Sequence, residues 1–153
     1  MWVPPEVADP VLLHAPTRKS MAVFGAVRPQ DGHLVVNQAS RFNADSFQSF
    51  LQHLLRHRRK GRLQLVVLDN AAYHHARALR PWLLAHRDVL RLDFLPPYSP
   101  ELNHQERVWK LTRYLVTHNR YFPVLDELVQ AVMHQLSLWD TSNDALHRLC
   151  AII

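Results

Sequence analysis

Two apolar runs constrain how this chain can fold more than anything else in it. Residues 62–68 read Arg-Leu-Gln-Leu-Val-Val-Leu, and residues 89–95 read Val-Leu-Arg-Leu-Asp-Phe-Leu. Each has the length of a strand and is apolar almost throughout, the pattern of a strand buried on both faces of a parallel sheet. The first run ends abruptly in Asp69, with Asn70, His74 and His75 just behind it. The second runs into a Pro-rich turn, Leu-Pro-Pro-Tyr-Ser-Pro-Glu-Leu-Asn (95–103), and then reaches Glu106. In open sheets with helical crossovers, ligands sit beyond the carboxyl ends of the strands. The pattern therefore predicts that Asp69 and Glu106 converge.

The flanking segments supply the rest of such a fold. Residues 21–27 and 33–39 predict two strands, and the Asp31-Gly32 pair between them is a strong hairpin signal. Residues 44–61 predict a helix. Phe47, Phe50, Leu51, Leu54 and Leu55 fall on one face, Asp45 is placed to cap the helix, and Gly61 is placed to end it. Helices are also expected over 74–87, entered or kinked at Pro81, over 103–117 around Trp109, and over 124–138. The order hairpin, helix, strand, helix, strand, helix, helix implies an α/β fold with a mixed sheet flanked by helices. Residues 1–20 carry four prolines and are expected to form an irregular arm, leaving 21–153 as one domain.

Composition narrows the function classes. The chain has 153 residues, 48% of them hydrophobic and 20% charged, which suits one globular domain and argues against disorder. No stretch of about 18 uncharged apolar residues exists to span a bilayer. The first ten residues lack a basic segment followed by an apolar one, so no signal peptide is expected. The single cysteine, Cys150, excludes an internal disulfide and a CxxC metal site, and fits a reducing compartment. A net charge of +5, before any of the eleven histidines is protonated, suits a polyanionic partner.

Carboxylates brought together in a cleft repel one another unless a cation bridges them. A hard divalent ion such as Mg²⁺ prefers oxygen ligands, and a pair of such ions can clamp a phosphodiester. That chemistry makes Asp69 and Glu106 candidates for phosphoryl transfer. Plainer roles stand beside it. Asp69 can cap the segment after it, and Glu106 can close a capping box with Asn103. His74 and His75 read as surface or capping residues, and the 56–62 basic cluster as a solvated helix end. No HExxH pattern supports zinc, and Ser99 lacks the partners of a serine nucleophile.

Asp69-Asn70-Ala71 with His74, followed by Leu95 through Asn103, Glu106 and Trp109, resembles the catalytic domain of mariner-like bacterial insertion-sequence transposases of the DDE endonuclease superfamily. The resemblance covers roughly residues 20–138. It implies an RNase H-like fold and metal-dependent cleavage and strand transfer of DNA in transposition and integration. Asp69 and Glu106 would be the catalytic acids and metal ligands, with Mg²⁺ or Mn²⁺ as cofactor. Asn70, His74, Tyr98 and Asn103 would shape the site. Phosphate contacts would come from Arg56, Arg58, Arg59, Lys60 and Arg62, and from Arg107, Lys110 and Arg113. The implied partners are transposon-end and target DNA, a further copy of the chain, or a full-length transposase, in the bacterial cytoplasm at the nucleoid.

The sequence departs from that family in three places. Nothing corresponds to the first acid, which the family carries on a central strand ahead of the hairpin, and no helix-turn-helix region precedes it. The chain is therefore expected to begin after that strand, to expose two strand edges, and to be impaired alone or to act as a DNA-binding or regulatory fragment. His104-Gln105 stands where the family has Pro-Ile, which loosens the entry into the helix bearing Glu106.

Overall fold

The computed structural model describes residues 20–151. Apart from Ser20, the expected N-terminal arm lies outside them. Strands β1 (Ala22–Arg28) and β2 (His33–Ala39) form the predicted antiparallel hairpin, with Ala22 opposite Ala39 and Arg28 opposite His33. Gly32 turns the chain at φ +72°, and a Cβ there would collide with the Asn143 carbonyl and the His147 N–H. Glycine therefore both permits the turn and admits the C-terminal helix against it.

Helix α1 (Ala44–Arg56) is capped by Asn43, not by Asp45. Asn43 Oδ1 accepts from the Ser46 N–H at 2.8 Å, and Ser46 Oγ accepts from the Asn43 N–H at 3.0 Å. Two orphan donors are satisfied reciprocally, while Asp45 sits inside the first turn, where the helix dipole favours a negative charge. Strands β3 (Gln64–Leu68) and β4 (Leu90–Phe94) are parallel, with Val66 opposite Leu92. The continuous helix expected over 74–87 breaks up between them. Two 3₁₀ turns, Ala72–His75 and Arg77–Leu79, precede a short α2 (Arg80–Ala85). Ala76 is extended at ψ 131°, and Pro81 has no N–H to give, so no helical ladder runs through.

Helix α3 (His104–Thr112) passes into a π turn (Arg113–Thr117), and α4 (Leu125–Ser137) follows. A last helix, α5 (Asp144–Ala151), has no counterpart among the expected elements. Its cap was within reach of the sequence, since Asn143 Oδ1 accepts from the Leu146 N–H at 2.9 Å and Leu146, Leu149 and Cys150 share a helical face.

The described strands do not join into one mixed sheet; β1–β2 and β3–β4 are separate two-stranded sheets. Two cores hold them. In one, Phe47, Phe50, Leu51 and Leu54 of α1 meet Phe24 of β1 and Leu68 and Leu90 of the parallel pair. In the other, Leu34 of β2 meets Val108, Leu136, Trp139 and Leu146 from the C-terminal half. The hairpin is thus covered on both faces and the β3–β4 pair on one. Leu65 and Val67, expected inside, are 53% and 51% exposed. The reason is that α3, α4 and α5 pack on the hairpin, so that no described helix covers the outer face of β3–β4.

Candidate active site

Because β3 and β4 are parallel, their carboxyl ends lie side by side, and the loops after them meet. The Leu95 N–H donates to the Leu68 carbonyl at 2.8 Å, carrying the ladder one residue past β4. Asn70 then staples the two loops, its Nδ2 donating to the Leu95 carbonyl at 2.7 Å. The Asn70 amide oxygen lies 3.2 Å from His75 Nε2 and can only accept, so Nε2 carries the proton. The His75 ring stacks on Phe94 with centroids 4.3 Å apart. His75 is therefore a support for the staple, a role that sequence spacing alone does not signal.

His74 is buried, whereas the residue-level reading put it at the surface or in a cap. Phe47 and Tyr73 each place a ring centroid 4.4 Å from it. Its Nδ1 lies 3.0 Å from the Asp69 carbonyl and 3.1 Å from Asp69 Oδ1. Burial pushes the His74 pKa down, more than its contacts with Asp69 hold it up. The neutral ring donates from Nδ1 to the carbonyl, which can only accept, and this fixes its tautomer. Asp69 Oδ1 also accepts from the Ala71 N–H at 3.1 Å, the local turn contact expected of an Asp after a strand. The carboxylate nonetheless stays 60% exposed, so the plainer role does not use it up.

On the other loop, Asn103 caps α3 by accepting from the Gln105 N–H at 3.0 Å. The Asn103 N–H donates to the Pro100 carbonyl at 3.0 Å. No capping box with Glu106 forms. Instead the Glu106 carboxylate is exposed in the first turn of α3 and makes no side-chain hydrogen bond or ion pair among the described residues. Gln105 faces inward against Gly25, where an added Cβ would lie 2.7 Å from its amide nitrogen. Tyr98, at φ +57°, is a non-glycine residue in the left-handed region, a conformation that costs of the order of 1–3 kcal/mol. Its side chain is fully exposed.

Asp69 and Glu106 are brought to the same cleft. It is open, of about 350 Å³, and is lined also by Asn70, Tyr98, Asn103 and the Pro-rich turn. Among the described residues, no group of three or more His, Cys, Asp or Glu is placed to hold a metal ion.

The basic residues divide. Arg107, Lys110 and Arg113 lie on or just past α3, the helix that carries Glu106. Arg107 donates to the Leu149 carbonyl at 3.3 Å, and Arg113 borders a separate apolar cavity with Trp109 and Val132. Arg56, Arg58, Arg59, Lys60 and Arg62 precede the amino end of β3, while Asp69 follows its carboxyl end. Five strand residues separate them by about 16 Å. Two of the cluster are already engaged: Arg58 donates to the Arg62 carbonyl at 2.6 Å, and Arg59 lies 3.4 Å from Asp31.

Residues 2–129 match the sequence pattern of the DDE superfamily endonuclease family. An uncharacterized protein of Sinorhizobium fredii (y4pE/y4sA) is 30% identical over 130 residues, covering 85% of this chain and 90% of that protein. The uncharacterized 39 kDa protein of insertion element IS630 from Shigella sonnei is 30% identical over 88 residues, 58% of this chain but only 25% of its own length. Among solved structures, the catalytic domain of Mos1 mariner transposase superposes with a TM-score of 0.59 at 16% identity, covering 84% of this chain and 66% of that one. The Mos1 strand transfer complex gives 0.59 at 21% identity, covering 98% of this chain and 44% of that one. The chain thus spans only part of most of these relatives. It belongs to the DDE superfamily endonuclease family, and its fold is the RNase H-like α/β fold of a mariner-type transposase catalytic domain.

Proposed function

We propose that residues 21–153 form a catalytic unit for metal-dependent DNA strand cleavage and strand transfer, with Asp69 and Glu106 as acids that hold Mg²⁺ or Mn²⁺. The observation that carries this reading is that two acids, one just past β3 and one in the first turn of α3, line the same open cleft. The donor set fits a hard cation. Both groups are carboxylates, both are exposed, and neither pairs with Lys or Arg among the described residues. A bound divalent ion would supply Lewis-acid activation of a water or 3′-hydroxyl and offset phosphodiester charge. The chain's own residues set the geometry. Asn70 ties the two loops, His74 holds the Asp69 backbone, and Asn103 starts the helix that aims Glu106. DNA, as transposon end and target, is the substrate and partner, and its affinity falls as salt rises. The site of action is the bacterial nucleoid.

Two acids hold such an ion weakly, so the described residues alone make an impaired enzyme. An extended segment from outside them, laid between the free edges of β1 and β3, would complete the sheet and bring a third acid. The arm, a second copy or a full-length transposase are its sources. Among the described residues, β1 pairs only with β2 and β3 only with β4. The Gln105 amide, packed on Gly25, has both polar atoms buried without a partner among the described residues. Such orphaned groups are uncommon in finished folds.

The remote position of the 56–62 basic cluster favours a second reading, a non-catalytic DNA-binding or regulatory fragment. Nicking of insertion-element end DNA in Mg²⁺ or Mn²⁺ separates the two. Asp69→Ala and Glu106→Ala should each lower cleavage by more than about 100-fold, because even the partners that support a metal ligand are worth about 10–100-fold. DNA binding that survives both substitutions, with no cleavage by the unaltered chain, establishes the regulatory reading instead.

A further inference from the structure

We propose that Tyr98 is a base-stacking residue, its ring receiving an unpaired nucleobase of the DNA strand that passes Asp69 and Glu106. The inference rests on the reading of the cleft as a DNA site and adds a ligand-binding role to one residue of its rim. Three observations carry it. The side chain is fully exposed and makes no hydrogen bond or ring contact with the described residues, so the fold draws nothing from the ring. The backbone is held at φ +57°, which glycine would adopt without strain. Tyr98 is one of the residues that line the same cleft as the two acids, on a turn stiffened by Pro96, Pro97 and Pro100.

Tyr114, also exposed, shows the contrast. It lies beside His118 with ring centroids 5.3 Å apart, so its ring has an intramolecular neighbour. An aromatic ring presented to solvent on a rigid turn offers a π-face at little entropic cost, and every base has a complementary face. Prolines on both sides leave few alternative orientations of the turn to be frozen out when a base docks.

The test uses the full chain and a DNA hairpin with a short unpaired 3′ tail, carrying 2-aminopurine at its first unpaired position. Fluorescence and anisotropy are read in Mg²⁺ buffer, and cleavage is followed in parallel on gels. The unaltered chain should bind and quench the probe, and Tyr98→Phe should stay within about twofold of it. Tyr98→Ala and Tyr98→Gly should lose the quenching and bind about 5- to 150-fold more weakly. Tyr98→Gly should melt no lower than the parent, because it relieves the left-handed strain. That keeps loss of binding distinct from loss of fold.

Quenching that persists in Tyr98→Ala overturns the proposal, as does absence of quenching in the unaltered chain. Quenching lost in Tyr98→Phe assigns the contact to the hydroxyl and overturns stacking as well. Quenching without cleavage upholds stacking while removing the catalytic reading. Cleavage without quenching does the reverse.

Discussion

The hairpin and the parallel pair are both two-stranded sheets, yet they are built to different standards. β1–β2 has α1 on one face and α3, α4 and α5 on the other, and Leu34 within it is 0% exposed. Its turn is fixed further by Asp31, which takes 2.8 Å and 2.6 Å contacts from Arg28 and one of 2.8 Å from Ser142. Among the described residues, β3–β4 has helices on one face only, and Leu65 and Val67 are about half exposed. Both candidate acids nevertheless follow from this less protected pair. Binding and catalytic groups commonly ride on loops positioned by a scaffold. Here the hairpin and α1 provide that scaffold, and the parallel pair keeps its ends open.

Substitutions can break or sharpen this contrast. Leu34→Ala should have the largest effect, lowering stability by about 2–5 kcal/mol in urea denaturation, since its cavity opens inside a closed core. A cost below about 1 kcal/mol would mean that the hairpin core is loose.

Asp31 should give an intermediate effect, visible as a pH dependence. The Arg28 guanidinium beside it, with help from Ser142 and the His33 N–H, holds its carboxyl well below the usual carboxylate range. Its folded pKa is therefore lower than its unfolded one, near 3.9. The stabilisation is complete above about pH 4 and is lost as pH falls through the folded value. Urea midpoints measured from pH 5 down to pH 2 should drop more steeply for the parent than for Asp31→Asn; parallel curves would leave the clasp without energetic weight.

Leu65→Ser should change least, within about 0.5 kcal/mol, because the side chain already faces water. A loss comparable to that of Leu34→Ala would place a cover on the bare face.

Much of this was legible in the sequence, for reasons that differ by element. The hairpin and α1 follow from local chemistry: alternation, a turn pair and a single apolar stripe. That Asp69 and Glu106 reach one cleft follows from two strand-like runs, because parallel neighbours end on the same side. The error over Leu65 and Val67 has a physical cause. An apolar run states that a strand can be buried on two faces, not that helices elsewhere will pack there. The capping error was one of register: Asn43 and Asp45 are both good caps, and only the Ser46 pairing decides between them. The burial of His74 depends on packing against Phe47 of α1, which no local pattern encodes.

The π turn after α3 carries its own lesson. Along an ordinary α-helix, residues spaced by four drift about 40° around the axis with each step. A stripe begun at Val108 and Thr112 would soon wander away from the surface it covers. The wider turn at 113–117, closed by the His118 N–H donating to the Arg113 carbonyl at 3.0 Å, advances less per residue and takes that drift back. Val116 returns to the buried side. The surplus residue thus acts as a phase correction for the last turn before the helix ends at His118, and a single deletion there would rotate Val116 and Thr117 away from the buried side.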